Sequence, residues 1–115
     1  EQDGAWFAHV DGYVVGGIFI VGANKDPEGA RLRWFIIDPD YHGQGLGKRL
    51  MTEAMNFCKA QGFEQVYLTT GAGLDAARHL YEKHGFRLVQ EVDATELTGS
   101  SDVIELVFIW ENPTR

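Results

Sequence analysis

The chain is poor in cysteine, in basic charge and in long apolar runs. Cys58 is its single cysteine, which excludes a disulfide framework and any metal cluster built on thiols. No metal is therefore expected. An unpaired thiol fits a reducing compartment, so the cytoplasm is the expected location. Lys and Arg number 10 against 17 Asp and Glu, a formal charge of −7. That balance argues against nucleic acid as a partner through this segment; if it selects anything, it selects cationic substrates. The longest apolar run, Tyr13 to Val21, is interrupted by Gly16 and Gly17 and is too short to span a bilayer. No signal-peptide pattern is visible, and no membrane partner is expected.

What is present is an ordinary globular composition, 44% hydrophobic and 23% charged over 115 residues. That suits one domain with a real core. No internal repeat stands out. Strands are expected at Ala5–Val10 and Tyr13–Val21, joined by the hairpin dipeptide Asp11-Gly12. "GANKDPEGA" (22–30) reads as a loop. "RLRWFII" (31–37) is a third strand, alternating at first and apolar at its end, a pattern that predicts burial on both faces there. A helix from Gly45 to Ala60 places Leu46, Leu50, Ala54, Phe57 and Cys58 at helical spacing, with Gly62 as its stop. Then follow a strand at Gln65–Thr70, a helix at Leu74–His84, a strand at Arg87–Val92, the polar loop 94–102 and a strand at Val103–Trp110. The order β-β-β-α-β-α-β-β is a mixed α/β pattern with helices crossing between strands.

Between the third strand and the first helix lies "DPDYHGQGLGKRL", with Gly43, Gly45 and Gly47 at alternate positions. Glycine is costly in a helix, so the stretch is either a turn or a place where bare backbone must approach something closely. A strand, a Gly-rich loop and a helix N-terminus together form an anion site, because the first amides of the helix lack internal partners. Two familiar phosphate motifs fail here. The triphosphate loop would need Gly at His42 and Ser or Thr at Arg49. The dinucleotide fingerprint would need one more residue between Gly45 and Gly47.

The run His42-Gly43-Gln44-Gly45-Leu46-Gly47 resembles instead the acyl-CoA motif [QR]-x-x-G-x-[GA] of the GCN5-related N-acetyltransferases (GNAT). "AARHLYEKHGF" (76–86) is similar to that family's A-x-x-[LI]-Y-x-x-x-G-F run. The resemblance covers about residues 11 to 92. Within the family, "LRWFIIDP", "GLGKRLM" and "AARHLYEKHGFRLVQE" resemble acetyltransferase domains fused behind MarR-type regulators. The resemblance implies a mixed, mostly antiparallel sheet flanked by helices, with an N-terminal strand and two helices before the hairpin. Since the hairpin begins almost at once and the chain does not start with Met, the 115 residues are read as one domain, a fragment or C-terminal part of a longer chain.

It also implies acetyl-CoA as cosubstrate and an amine acceptor, by direct attack in a ternary complex. The pyrophosphate would sit on the backbone of Gly43, Gln44, Gly45, Leu46, Gly47 and Lys48, with the His42 side chain nearby. The pantetheine arm would lie along Phe35, Ile36 and Ile37, in a splay between this strand and Gln65–Thr70. An amide near Ile36 or Ile37 would hold the thioester oxygen. Tyr81 would protonate the departing thiolate. Arg78 is a candidate for the CoA phosphates. Relatives often carry Asn near Gly71; Thr69, Thr70 and Asp75 are the substitutes.

Two departures remain. The strand "RLRWFII" lacks the family's Glu, leaving Asp38, His42, Glu28, His79 or a water chain as base. His42 stands where Gln or Arg is usual. The missing Glu and the missing Asn keep open a second reading, a non-catalytic acyl-CoA sensor attached to a regulator. A bland reading of each residue stands beside these: Tyr81 and Cys58 as core, Trp6, Trp34 and Trp110 as packing, with Trp34 the one placed to line a substrate pocket. Glu96 in the 94–102 loop is a candidate for a cationic acceptor, and a second copy of the chain, forming a homodimer, is a candidate partner.

Overall fold

In the computed structural model, residues 3–22, 29–71, 75–93 and 104–113 are described. Six strands form one sheet: β1 (Gly4–Val10), β2 (Tyr13–Val21), β3 (Ala30–Ile37), β4 (Gln65–Gly71), β5 (Arg87–Asp93) and β6 (Ile104–Glu111), in the order β1-β2-β3-β4-β6-β5. Helix α1 (Leu46–Gln61) joins β3 to β4, and α2 (Asp75–Lys83) joins β4 to β5. β3 and β4 run parallel; every other neighbouring pair is antiparallel. The parallel pair needs a crossover, and α1 supplies it. The expected fold class stands, and element ends differ from the expected ones by a residue or two.

Local chemistry accounts for the punctuation. Asp11 and Gly12 have φ of 52° and 84°, the positive pair that a two-residue hairpin matched to strand twist requires. Gly62, at φ 74°, ends α1, and its N–H bonds to Cys58 O and Lys59 O, satisfying carbonyls that the helix leaves open. Leu50, Met51, Ala54, Met55 and Cys58 form the buried stripe of α1. It lies against β1 and β2, where Trp6 meets Phe57 edge-on at 5.2 Å. From α2, Tyr81 joins the same core between Phe35, Phe86 and Phe108.

Cys58 is fully buried, as its place on the stripe predicts, and burial pushes its thiol from an ordinary 9.0 up to about 12. The folded protein therefore keeps the thiol neutral where the unfolded chain ionises it. The stability this provides is complete below pH 9 and is lost as pH rises from 9 towards 12. Between pH 7 and 10.5, the unfolding free energy of the native protein, from denaturant titration, should fall by about 2 kcal/mol more than that of Cys58→Ala. Equal losses would mean that the thiol ionises freely in the fold.

One expectation needs correction. The apolar end of β3 is not buried on both faces, for Trp34 is 56% exposed and Ile36 63% exposed. Between Gly17 and Phe19 on β2 lies one residue, but between their partners Ile36 and Arg33 lie two. The additional residue is a β-bulge, and Trp34 has φ 49° within it. A bulge switches the side-chain parity of its strand. Ala30 and Leu32 face the helices, and beyond the bulge Phe35 and Ile37 do. Trp34 and Ile36 are turned to the opposite face.

Candidate active site

β3 and β4 begin as neighbours and then part. Their ladder consists of Ala30 with Val66 and Arg31 with Tyr67, and no later pair forms. The two strands therefore diverge into an open seam, whose β3 side is Leu32–Ile37. A parallel sheet interior normally satisfies such backbone groups by pairing. The bulge at Trp34 lies in this unpaired stretch. Bulges re-aim backbone and side chains next to sites of function.

At the end of β3 the chain turns through Pro39–Tyr41, with the Asp38 carboxylate accepting from Asp40 N–H at 2.9 Å. Asp38 N–H itself bonds to Val15 O at 2.7 Å, tying the turn to β2. The His42 ring lies 2.9 Å from Ile37 O through Nε2. A carbonyl only accepts, so Nε2 carries the hydrogen in this contact. The ring thus fastens the glycine loop to the last residue of β3.

Gly43 and Gly45 have φ of 81° and 78°, and a Cβ added at either would meet nothing within 4 Å. Glycine is needed there for the left-handed backbone, and the space beside it is open. Gly45 is the N-cap of α1, and no side chain caps it. The first backbone bond of the helix runs from Arg49 N–H to Gly45 O at 3.1 Å, so the amides of Leu46, Gly47 and Lys48 precede the ladder. Gly47 has a different reason. A Cβ there would meet Leu80 Cδ2 at 3.2 Å and Phe35 Cζ at 3.3 Å. The missing side chain lets α1, α2 and the end of β3 converge.

Tyr81 stands behind this convergence. It is 6% exposed, with ring centroids 6.0 Å from Phe35, 6.1 Å from Phe86 and 5.9 Å from Phe108. Burial raises its phenol above the ordinary value, so it is a neutral O–H donor throughout the physiological range.

The structure brings Phe35, Ile37, His42, the glycine loop and Tyr81 into one neighbourhood. Ile36 faces away with Trp34. Gln44 and Lys48 are exposed at the loop, Leu46 is half-buried, and Thr70 is half-buried and paired with Leu106. Arg78 lies 3.7 Å from Glu82 and over the Phe108 ring at 5.9 Å. Among the base candidates, Asp38 is engaged in the turn, His79 is exposed on α2, and Glu28 lies outside the described residues, as does the 94–102 loop with Glu96. Among the described residues no group of three or more His, Cys, Asp or Glu could hold a metal, and no helix is long and apolar enough to cross a membrane.

Sequence reasoning missed Arg31. Its guanidinium lies over the Tyr67 ring at 5.4 Å, with Nη2 3.4 Å from Thr69 Oγ1, and its buried Nε has no hydrogen-bond partner among the described residues. Arg31 and Arg33 are two apart, the period that puts both on one face of a strand. That spacing was the available signal.

The model of the Acetyltransferase (GNAT) family matches residues 1–86. N-acetyltransferase 8 of Rattus norvegicus is 31% identical over 114 residues, covering 96% of this chain and 51% of that protein. N-acetylaspartate synthetase of Danio rerio is 34% identical over 94 residues, covering 82% of this chain and 33% of that protein. The chain thus spans about half the length of the one and a third of the other. Among solved structures, a GNAT family acetyltransferase from Elizabethkingia anophelis with acetyl-CoA bound superposes with a TM-score of 0.76 at 16% identity, covering 96% of this chain and 76% of that one.

Proposed function

Because the chain belongs to the acetyltransferase (GNAT) family, we propose that it moves an acetyl group from acetyl-CoA to an amine, by direct attack within a ternary complex. The observation that carries this reading is the pairing of an open β3–β4 seam with an uncapped, glycine-lined helix end. The residues present fit acetyl-CoA. Gly43 and Gly45 leave room for an anion against bare backbone, and the amides of Leu46, Gly47 and Lys48 point their partial positive charge at it. The free edge of Phe35, Ile36 and Ile37 can pair with an extended, amide-containing arm as a further strand would. Lys48 adds positive charge at the rim of the loop, with Arg78 the candidate reaching from α2.

Acetyl-CoA supplies an activated acyl carbon whose leaving group is a thiolate. The chain's own residues do the rest. A backbone N–H of β3 near Ile36 or Ile37, freed from the ladder, donates to the thioester oxygen as negative charge develops on it. Tyr81 donates its phenolic hydrogen towards the sulfur as the C–S bond breaks. A phenol raised by burial is a weaker acid than a thiol, so its transfer is favourable only in step with departure of a proton from the attacking amine. The balance is one N–C bond formed and one C–S bond broken, with the thiolate taking the Tyr81 proton and the proton released by the amine passing through water to restore the phenol. The acceptor is read as an amine nitrogen, in keeping with the names of the two relatives.

A place behind a MarR-type regulator rests on the three phrases at the end of β3, the start of α1 and α2, and is tested by sequencing upstream of the coding segment. A cytoplasmic setting rests on the single thiol, and a homodimer is tested by sedimentation.

The test of the central reading is a thermal melt with acetyl-CoA, using adenosine as the control. Ligand at a hundred times its Kd adds about 2.7 kcal/mol, which raises Tm by on the order of 10 °C for a domain of this size. No shift with acetyl-CoA, or the same shift with adenosine, overturns the reading.

A further inference from the structure

On the sheet face turned away from α1, β3 carries Arg31, Arg33 and Trp34. Phe7, Phe19 and Trp34 form an edge-to-face row, at 5.6 Å and 5.4 Å, and Arg33 lies over the Trp34 ring at 4.4 Å. Phe7 and Trp34 are more than half exposed. Arg31 sits at the last pair of the β3–β4 ladder, and its Nη2 reaches towards Thr69, two residues further along β4. The guanidinium thus lies where the seam opens. Among the described residues neither arginine forms an ion pair with a carboxylate, in a chain whose acids outnumber its bases by seven.

The buried Nε is the unusual feature. Buried donors are nearly always satisfied, and an unsatisfied one incurs its full desolvation cost. Here a guanidinium is held by the Tyr67 ring on one side and by a long contact to Thr69 on the other, while Nε–H has no acceptor among the described residues. The Nε and Nη2 hydrogens of an arginine form one edge of a planar fork that matches the two oxygens of a carboxylate. The Thr69 hydroxyl accepts from Nη2 at a distance near the limit of a hydrogen bond, so a carboxylate oxygen displaces little when it takes that hydrogen.

We propose that the acceptor is an amine that also carries a carboxylate, an amino acid in the broad sense, held by the Nε–Nη2 edge of Arg31 on this face. Arg33 adds positive charge, and Trp34, at the bulge, is the apolar wall between the carboxylate and the reacting end. Arg31 is a positioning and specificity residue in this assignment, which rests on the acetyl-transfer reading above. The chemistry is unchanged: the amine nitrogen forms the bond to the acyl carbon, the thiolate leaves, and the carboxylate stays intact.

The experiment is thiol release from acetyl-CoA with a panel of amino acids, each paired with the amine that its decarboxylation gives, phenylalanine with phenethylamine for example. Native protein should favour the acids in kcat/KM by at least 10-fold. Arg31→Gln should raise KM for the acids by about 10- to 100-fold, the range for one hydrogen bond to a charged group. It should leave kcat, KM for the decarboxylated amines and the melting shift with acetyl-CoA unchanged. Arg31→Lys should restore part of the loss. If Arg31→Gln does not fold, the paired panel on the native protein decides, with Arg33→Gln as the second variant. Turnover confined to amines without a carboxylate, or an Arg31→Gln loss shared equally by both members of each pair, overturns the assignment and leaves acetyl transfer standing. Absence of any melting shift with acetyl-CoA overturns both.

Discussion

Gly45→Asp is expected to abolish acetyl-CoA binding while leaving the fold in place. The two halves of that result have separate causes. Gly45 has φ 78° and open space beside it, so the new side chain meets no protein atom, and its cost is that of a non-glycine residue in the left-handed region, about 1 kcal/mol. Against that, a carboxylate at the start of α1 interacts favourably with the helix dipole by about 0.3–1 kcal/mol. The net change in stability is small, and the melting temperature without ligand should move by only a few degrees. Binding is another matter. The carboxylate occupies the space proposed for the pyrophosphate and repels it. Two like charges about 4 Å apart at an effective dielectric of about 20 cost ~4 kcal/mol, a loss approaching a thousandfold. Gly45→Ala is the control, since it carries the backbone strain without the charge and should lose far less. Titration calorimetry with acetyl-CoA reads both. An aspartate variant that binds within tenfold of native would place the pyrophosphate elsewhere than on this loop.

How much of this was readable in advance follows from which forces act locally. The α1 stripe of Leu50, Ala54 and Cys58 repeats at helical spacing, and Gly62 ends it through a conformation that glycine adopts on its own. Both are properties of a few adjacent residues, and both were found. The bulge at Trp34 is a property of two strands. Nothing in "RLRWFII" marks it, since no glycine stands there. It is set by the register between β2 and β3, with Gly17 paired to Ile36 and Phe19 to Arg33. Reading the run without that register spread its apolar residues over two buried faces, when the bulge sends Phe35 and Ile37 one way and Trp34 and Ile36 the other. Strand order is similarly non-local, because β6 enters between β4 and β5 only after α2 has carried the chain past its place. The glycine loop was readable for a double reason: φ demands at Gly43 and Gly45 and a packing demand at Gly47 both select the same residue. Arg31 was not, because an unpartnered Nε exists only once Tyr67 and Thr69 have been brought beside it.

Tyr81→Phe is expected to lower kcat by about a hundredfold or more, the range for a positioned acid, while changing KM for acetyl-CoA little. The substitution is clean because of where the ring lies. Phe35, Phe86 and Phe108 surround Tyr81, and a phenylalanine ring fills the same space, so the fold and the seam are retained and any loss reports on the hydroxyl. The pH profile supplies a readout that a packing role would not move. Burial raises the phenol above its ordinary value near 10, so the native enzyme should hold its rate through the range where free phenols begin to ionise. Its alkaline decline should come only above about pH 10. The sign of the linked stability runs the same way: the neutral phenol favours the fold below its unfolded pKa, and that contribution is lost as pH rises through the folded one. Short assays with a parallel melt at each pH separate the two. The variant has no phenol to ionise, so its low rate should show no decline of that origin. Equal losses in kcat and in acetyl-CoA affinity would assign the hydroxyl to binding, and an unchanged kcat would leave Tyr81 as a member of the core alone, with the departing sulfur drawing its proton from water.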